Sequence, residues 1–594
     1  MAVLRITVII TLALFYHLAG TRHSNISYLK QNVTTLNSSS SDQGLKLYIH
    51  KWPTCPLWKY HKYQSSSCEC GSGLNNVVDC RENQSTISLV SCYCMSYSDN
   101  GDGVVVGACP FLCGNYWYVH IDADTNLSIL CNKYIHQNRQ EQMCGKCRDN
   151  HSPSPYSYQL KCVHCSHYKY NWLKYLVVAY APLTVFFFMV IIFKLNALSA
   201  SMNAFIFIAQ VVSSPAAMNM ISTFAYFTHE HHFDDDYDVN IMSAVDAAVI
   251  PLGIWNLDFF RLAYKPFCLH PNLSVIQIMC LDYLIAIYPL LLIFLMFTLF
   301  KLYERFRAIQ IFLKPFVWLF ARFNRRWNAS TSLTEAFATF ILLSYVKVIN
   351  TSFDILMPTQ LYNVSGQVVG LYVYYNGSLE YFGQNHLPYA VLAIFMFITF
   401  NFIPFLLLCL YPCRCFQSCL NYFHLNSHVL RTFMDAFQGC YKFEPYDCRY
   451  WAAFYLFLRM AALTIFTVTQ GIFFVAICGI LVISVMIMTA IIRPYRKSIY
   501  NVIDLVLFLA FMQICFSTIG IGLLNYDESF LLLLFTNIML GFGFIVPFVY
   551  ITLLAVYKIL PSSCIVRLME LTHTALHCLC LQQLTVQRSP PMAL

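Results

Sequence analysis

Four ionisable residues lie inside long apolar stretches of this sequence: Asp282, Lys347, Arg459 and Asp504. A charge in hydrocarbon is costly, so such residues pair within a protein interior or line a path for ions or protons. Asp282 and Lys347 each fall several residues from one end of their apolar run, roughly 8–10 Å deep at a helical rise. Their opposite charges predict a pair. It reads as an ion, proton or gating site, or more plainly as a structural salt bridge between neighbouring helices. Arg459 and Asp504 form a second candidate pair, with snorkelling of Arg459 to the headgroups as the plainer reading.

The segment HEHHFDDDYD gathers His229, Glu230, His231, His232, Asp234, Asp235, Asp236 and Asp238. Histidines among carboxylates suit zinc, copper or a response to pH, and dense carboxylates suit calcium. No calcium-loop register with a closing glutamate is present, and a solvated acidic loop is the plainer reading. Cys413, Cys415 and Cys419 directly follow an apolar run, and Cys564, Cys578 and Cys580 lie near the C-terminus. Juxtamembrane thiols of this kind are S-palmitoylation candidates, with unmodified thiols as the alternative. HExxH, GxSxG, Walker and dinucleotide-binding patterns are all missing, so the sequence reads as neither an enzyme nor a cofactor protein.

These residues belong to a chain of 594 residues that is 58% hydrophobic and 11% charged. Soluble globular proteins carry about 25% charged residues. A wholly soluble protein is therefore excluded, and so is a disordered one, which needs low hydrophobicity and high charge. The net charge of +8 is too small for this length to indicate nucleic acid. The 26 cysteines point to an oxidised exterior part.

Residues 1–20, with Arg5 ahead of a short apolar stretch, read as a signal peptide. Residues 21–171 read as a glycosylated ectodomain, with sequons at Asn25, Asn32, Asn37, Asn83 and Asn126. This region holds Cys55, Cys68, Cys70, Cys80, Cys92, Cys94, Cys109, Cys113, Cys131, Cys144, Cys147, Cys162 and Cys165. Such density is that of a disulfide scaffold, which a small core needs as a staple. The count is odd, and Cys268 in FCLHPN is the candidate extra partner. Cys144, Cys147, Cys162 and Cys165 also have zinc-ribbon spacing, but disulfides are the preferred reading in an oxidising compartment.

Apolar runs of spanning length occur near 172–194, 203–227, 276–300, 333–353, 387–411, 450–470, 472–492, 499–523 and 530–557. The stretch 301–326 carries seven Lys and Arg against one Glu, which predicts a cytoplasmic loop. Sequons at Asn272, Asn363 and Asn376 predict the outer side for their loops. Both markers hold only if the polar run 241–264 is interfacial or re-entrant. The expected fold is an all-α polytopic membrane bundle of about nine transmembrane helices over 172–557. It carries an N-terminal disulfide-rich, loop- and β-rich extracellular domain and a cytoplasmic tail at 558–594.

The box CGKCRDNHSPSPYSYQLKCVHC, then WLKYLVVAYAPLTVFF, GIWNLDFFR, FCLHP, LDYLIAIYPLLL and RPYRKSIYNVIDLVL, resembles a group of multi-pass membrane proteins of sponges and cnidarians. The resemblance covers most of residues 140–557 and implies architecture rather than an activity. RPYR with Asp504 faintly resembles fungal transient-receptor-potential-like channel proteins, and no pore residue carries over.

The functional expectation is a multi-pass receptor-like protein of the plasma membrane, N-terminus outside and C-terminus inside. Its partners would be the lipid bilayer and an extracellular ligand or ion. The alternative is a cation channel or transporter using the intramembrane Asp and Lys.

Overall fold

The computed structural model describes the backbone of eight short strands between Lys59 and Gln140 and most of residues 145–214, 252–259, 267–323, 329–524 and 539–554. The stretch 229–238, residues 1–20 expected as a signal peptide, residues 558–594 and the side chains of the cysteines up to Cys144 lie outside the described residues.

Among the described residues, six helices are long and apolar enough to cross a membrane: 168–192, 275–303, 331–356, 387–410, 475–492 and 498–519. The chain is therefore a polytopic membrane protein. The expected spans 203–227, 450–470 and 530–557 are described as shorter apolar helices at 203–212, 450–465 and 545–554, and part of each expectation lies outside the described residues.

In chain order the helices used below are α1 (Asn171–Ile192), α2 (Asn203–Val212), α3 (Val275–Tyr303), α4 (Arg307–Phe323) and α5 (Ala329–Leu356). They continue with α6 (Leu387–Phe397), α7 (Arg414–Tyr422), α8 (Tyr450–Val468) and α9 (Ser498–Leu524). A reciprocal cap starts α3. Ser274 N–H donates to Gln277 Oε1 at 2.9 Å, and Gln277 N–H donates to Ser274 Oγ at 3.2 Å. These bonds satisfy amides that would otherwise be orphaned at the helix start. After α6 the helix widens into a π turn at Ile398–Phe402 before Pro404. Proline lacks the N–H that would continue the ladder, and the widened turn frees Asn401 to donate to Tyr345 O at 2.7 Å.

Five strands form one sheet at one end of the bundle. They are β1 (Tyr93–Tyr97), β2 (Val104–Ala108), β3 (Pro358–Asn363), β4 (Val368–Val373) and β5 (Asn376–Glu380), in the order β5-β4-β3-β2-β1. The cysteine-rich region supplies β1 and β2, and the loop after α5 supplies the rest. They join where β2 and β3 pair antiparallel, Gly107 opposite Leu361 and Val105 opposite Asn363. Only Met357 separates the last residue of α5 from β3.

Disulfides reinforce the same end. Cys147 pairs with Cys162, and Cys165 pairs with Cys268 across 103 residues. Three of the four cysteines with zinc-ribbon spacing are thus in disulfides. Asn171, first in α1, donates to Cys268 O at 2.7 Å, and Phe267 N–H donates to Ser154 Oγ at 3.2 Å.

Candidate functional site

Lys347 is buried on α5 and meets two carboxylates. Its Nζ lies 2.6 Å from Asp258 Oδ1 and 3.0 Å from Asp282 Oδ1. The Asp282 side chain keeps 37% exposure and that of Asp258 only 12%. Asp258 is therefore the drier partner, where attraction is less screened. Asp354, two turns further along α5, accepts a hydrogen bond from Tyr375. Two carboxylates thus meet one ammonium, and a third, Asp354, stands further along the same helix.

Asp258 is positioned by an irregular turn. Ile254–Asn256 form one turn of 3-10 helix, and Leu257 adopts the left-handed region at φ 58°. That conformation lets Asp258 N–H close the turn on Gly253 O at 2.9 Å. Non-helical backbone at membrane depth is tolerated only where protein buries it. Here Asn256 and Leu257 are both fully buried, and Trp255 packs edge-on against Phe186 and Phe205.

The turn connects to a second buried cluster through α2. Asn256 Nδ2 donates to Gln210 O at 2.9 Å and to Ser213 Oγ at 2.8 Å. Gln210 Nε2 donates to Trp255 O at 3.1 Å, and its Oε1 accepts from Arg459 Nε at 2.9 Å. All ten residues of α2 are buried, so each polar group needs a protein partner.

Arg459, on α8, is fully buried. The expectation that it snorkels is overturned. Its guanidinium donates to Gln210 Oε1, Tyr455 O at 3.1 Å and Asn203 Oδ1 at 3.1 Å. It also lies over the rings of Phe207 and Tyr455. These groups replace water, so the charge gains nothing by reaching the headgroups. The expected direct pair with Asp504 does not form. Tyr455 stands between them: its hydroxyl donates to Asp504 Oδ2 at 2.5 Å while its carbonyl accepts from Arg459.

Asn203 carries the chain of contacts onward, its Nδ2 donating to Tyr441 OH at 3.0 Å. The Tyr441 and Tyr495 rings stack with centroids 5.2 Å apart. A main-chain bond from Lys442 N–H to Pro494 O at 2.9 Å and a side-chain bond from Arg496 Nε to Tyr441 O at 3.0 Å tie the same segments. A polar thread therefore runs from Asp258 through Gln210 and Arg459 to Tyr441. Asp258, Gln210, Asn256, Asn203 and Tyr455 were not singled out from sequence as members of a site. The signal was a polar residue inside an apolar run, such as Gln210 in FIFIAQVV.

Other sequence candidates separate. Among the described residues no group of three His, Cys, Asp or Glu could hold a metal, and His229, His231, His232, Asp234, Asp235 and Asp236 lie outside them. Asn272 is exposed. Asn376 is 6% exposed, and its Oδ1 accepts from Ser378 Oγ at 2.7 Å. Cys415 and Cys419 are exposed on α7, whereas Cys413 is half-buried with its thiol 3.4 Å from Tyr450 OH. At the disulfide end a cavity of about 340 Å³ opens between Lys146, Asp149, His151, Ser274, Asn376 and Tyr389.

No family model, curated protein or solved structure matches this chain. The resemblance to sponge and cnidarian membrane proteins rests on the sequence segments alone.

Proposed function

We propose that this chain is a receptor-like protein of the cell surface, coupling a disulfide-rich ectodomain to the far end of its helical bundle. The observation that carries this reading is the continuity from sheet to thread. Strand β2 of the cysteine-rich region pairs with β3, β3 is joined to α5 by one residue, and α5 holds Lys347. From Lys347 an ion pair reaches Asp258, the backbone of its turn leads to Asn256, and hydrogen bonds continue through Gln210 and Arg459 to Asn203 and Tyr441. Packed elements with fixed hydrogen bonds shift between discrete arrangements rather than deforming smoothly. A ligand that repositions the sheet would then bias Lys347, and through it Arg459. The cavity at the disulfide end suits such a ligand, because it lies where the cysteine box, the start of α3 and the β4–β5 hairpin meet.

The excess of carboxylates around Lys347 supports a second reading, a cation channel or transporter. Reconstitution separates the two. The receptor reading expects no cation flux under any gradient, together with altered hydrogen exchange in α2 and α8 when Val106→Cys and Tyr362→Cys are cross-linked. These two positions are register partners. Flux that Asp282→Asn abolishes would overturn it in favour of transport.

A further inference from the structure

Helix α4 follows α3 after only three residues. Lys301, Arg305 and Arg307 precede or open it, and all three are exposed. Gln310 Nε2 donates to Tyr303 O at 2.9 Å and fastens its first turn to the end of α3. Helix α4 is thereby held where the span leaves the membrane.

Its exposed face has a particular composition. Arg307, Ile311, Lys314 and Trp318 recur at intervals of four, three and four, which aligns them along one side of a helix. All four are exposed, Ile311 by 76% and Trp318 by 65%. Leu313, on the opposite side, is 2% exposed and packs inward. Among the described residues no carboxylate pairs with Arg305, Arg307 or Lys314. A face that alternates aromatic and aliphatic side chains with exposed cations matches the boundary between acyl chains and anionic headgroups. It suits a cytosolic partner less well, because that partner would have to cover exposed apolar groups that already stand at membrane level.

We infer that α4 is an in-plane helix that binds anionic phospholipid through Arg307, Ile311, Lys314 and Trp318. The occupant is the leaflet opposite the disulfides. Cys165–Cys268 stands beside the start of α3 and α4 beyond its end. Disulfides mark the oxidising side, so α4 belongs to the cytosolic leaflet, where anionic lipids concentrate. The inference is independent of whether the protein signals or transports.

The test uses the full chain in nanodiscs of phosphatidylcholine alone or with phosphatidylserine. In the wild-type protein, Lys314 is expected to react at least five-fold more slowly with a water-soluble amine reagent when phosphatidylserine is present. High salt should remove that protection. In a second measurement, emission lost in Trp318→Phe should be quenched by brominated lipid. Arg307→Gln with Lys314→Gln should weaken the preference for anionic over zwitterionic lipid by about five-fold per charge. Equal Lys314 reactivity in both discs would overturn the inference. Protection that rises with protein concentration rather than lipid charge would overturn it too, by assigning the face to a second copy.

Discussion

Arg459 Nε donates to Gln210 Oε1 at 2.9 Å across 249 residues of sequence, with both side chains fully buried. This bond joins the short buried helix α2 to α8. It links the turn that carries Asp258 to the cluster that contains Asp504. Gln210→Leu should leave the guanidinium one acceptor short in a dry interior. Removing a hydrogen bond to a charged group costs about 1.5–3 kcal/mol. The thermal midpoint of the purified protein should fall accordingly, and Gln210→Glu should fall less, because the carboxylate keeps an acceptor facing Arg459.

Lys347 is predicted to be more critical than either carboxylate beside it. Lys347→Met leaves Asp258 and Asp282 without their cation, and breaking a buried pair in this way costs about 3–5 kcal/mol. Asp282→Asn should cost less, since its side chain is 37% exposed and keeps contact with polar surroundings. Adding Asp258→Asn and Asp282→Asn to Lys347→Met should recover much of the loss. Thermal unfolding of the single, double and triple variants would give the coupling directly. Strictly additive losses would mean that these groups do not interact.

These networks were only partly legible in the sequence. Asp282 and Lys347 stood out because a charge interrupts an apolar run, and their partnership followed from sign and depth. Asp258 was hidden because it lies in a run whose path, turning at left-handed Leu257, no periodicity encodes. Arg459 was misjudged for a related reason. Side-chain length permits snorkelling, and only the packing of Gln210, Asn203 and Tyr455 around it makes the interior the better solvent. The link from β2 to β3 was not readable either, since it joins strands 250 residues apart whose pairing depends on tertiary placement.

The bond between Cys165 and Cys268 should contribute about 2–4 kcal/mol. Cys165→Ser, Cys268→Ser and the double variant should lose similar amounts of thermal stability, because all three remove the same crosslink. A double variant far less stable than either single would show that each cysteine has a separate role. Non-reducing peptide mapping of the wild-type protein provides the independent check.

Selective acylation is predicted on α7. Cys415 and Cys419 are exposed one turn apart, beside exposed Tyr422 and Phe423. Cys413 and Cys448 are more sheltered. Thioester-exchange labelling of protein from cells should report acyl groups at Cys415 and Cys419, and Cys415→Ser with Cys419→Ser should lose them. Labelling concentrated at Cys413 or Cys448 would contradict the exposure argument.

Acid should weaken the junction between the sheet and α6. His386 precedes that helix and is fully buried. Its Nδ1 accepts from Phe382 N–H at 3.0 Å and its Nε2 donates to Ile355 O at 3.1 Å. That arrangement requires the neutral ring, because a proton on Nδ1 would face the Phe382 amide. Burial pushes the imidazole pKa below its ordinary value, opposed by the bond to Ile355. The folded state therefore binds the proton more weakly than the unfolded one. The stability it contributes is complete above the ordinary histidine pKa of about 6.5 and declines as pH falls through the lowered value. Thermal midpoints should thus drop between neutral and mildly acid pH. His386→Gln should be less stable at neutral pH and should lose that part of the pH dependence. An unchanged acid slope in the variant would assign the effect to other groups.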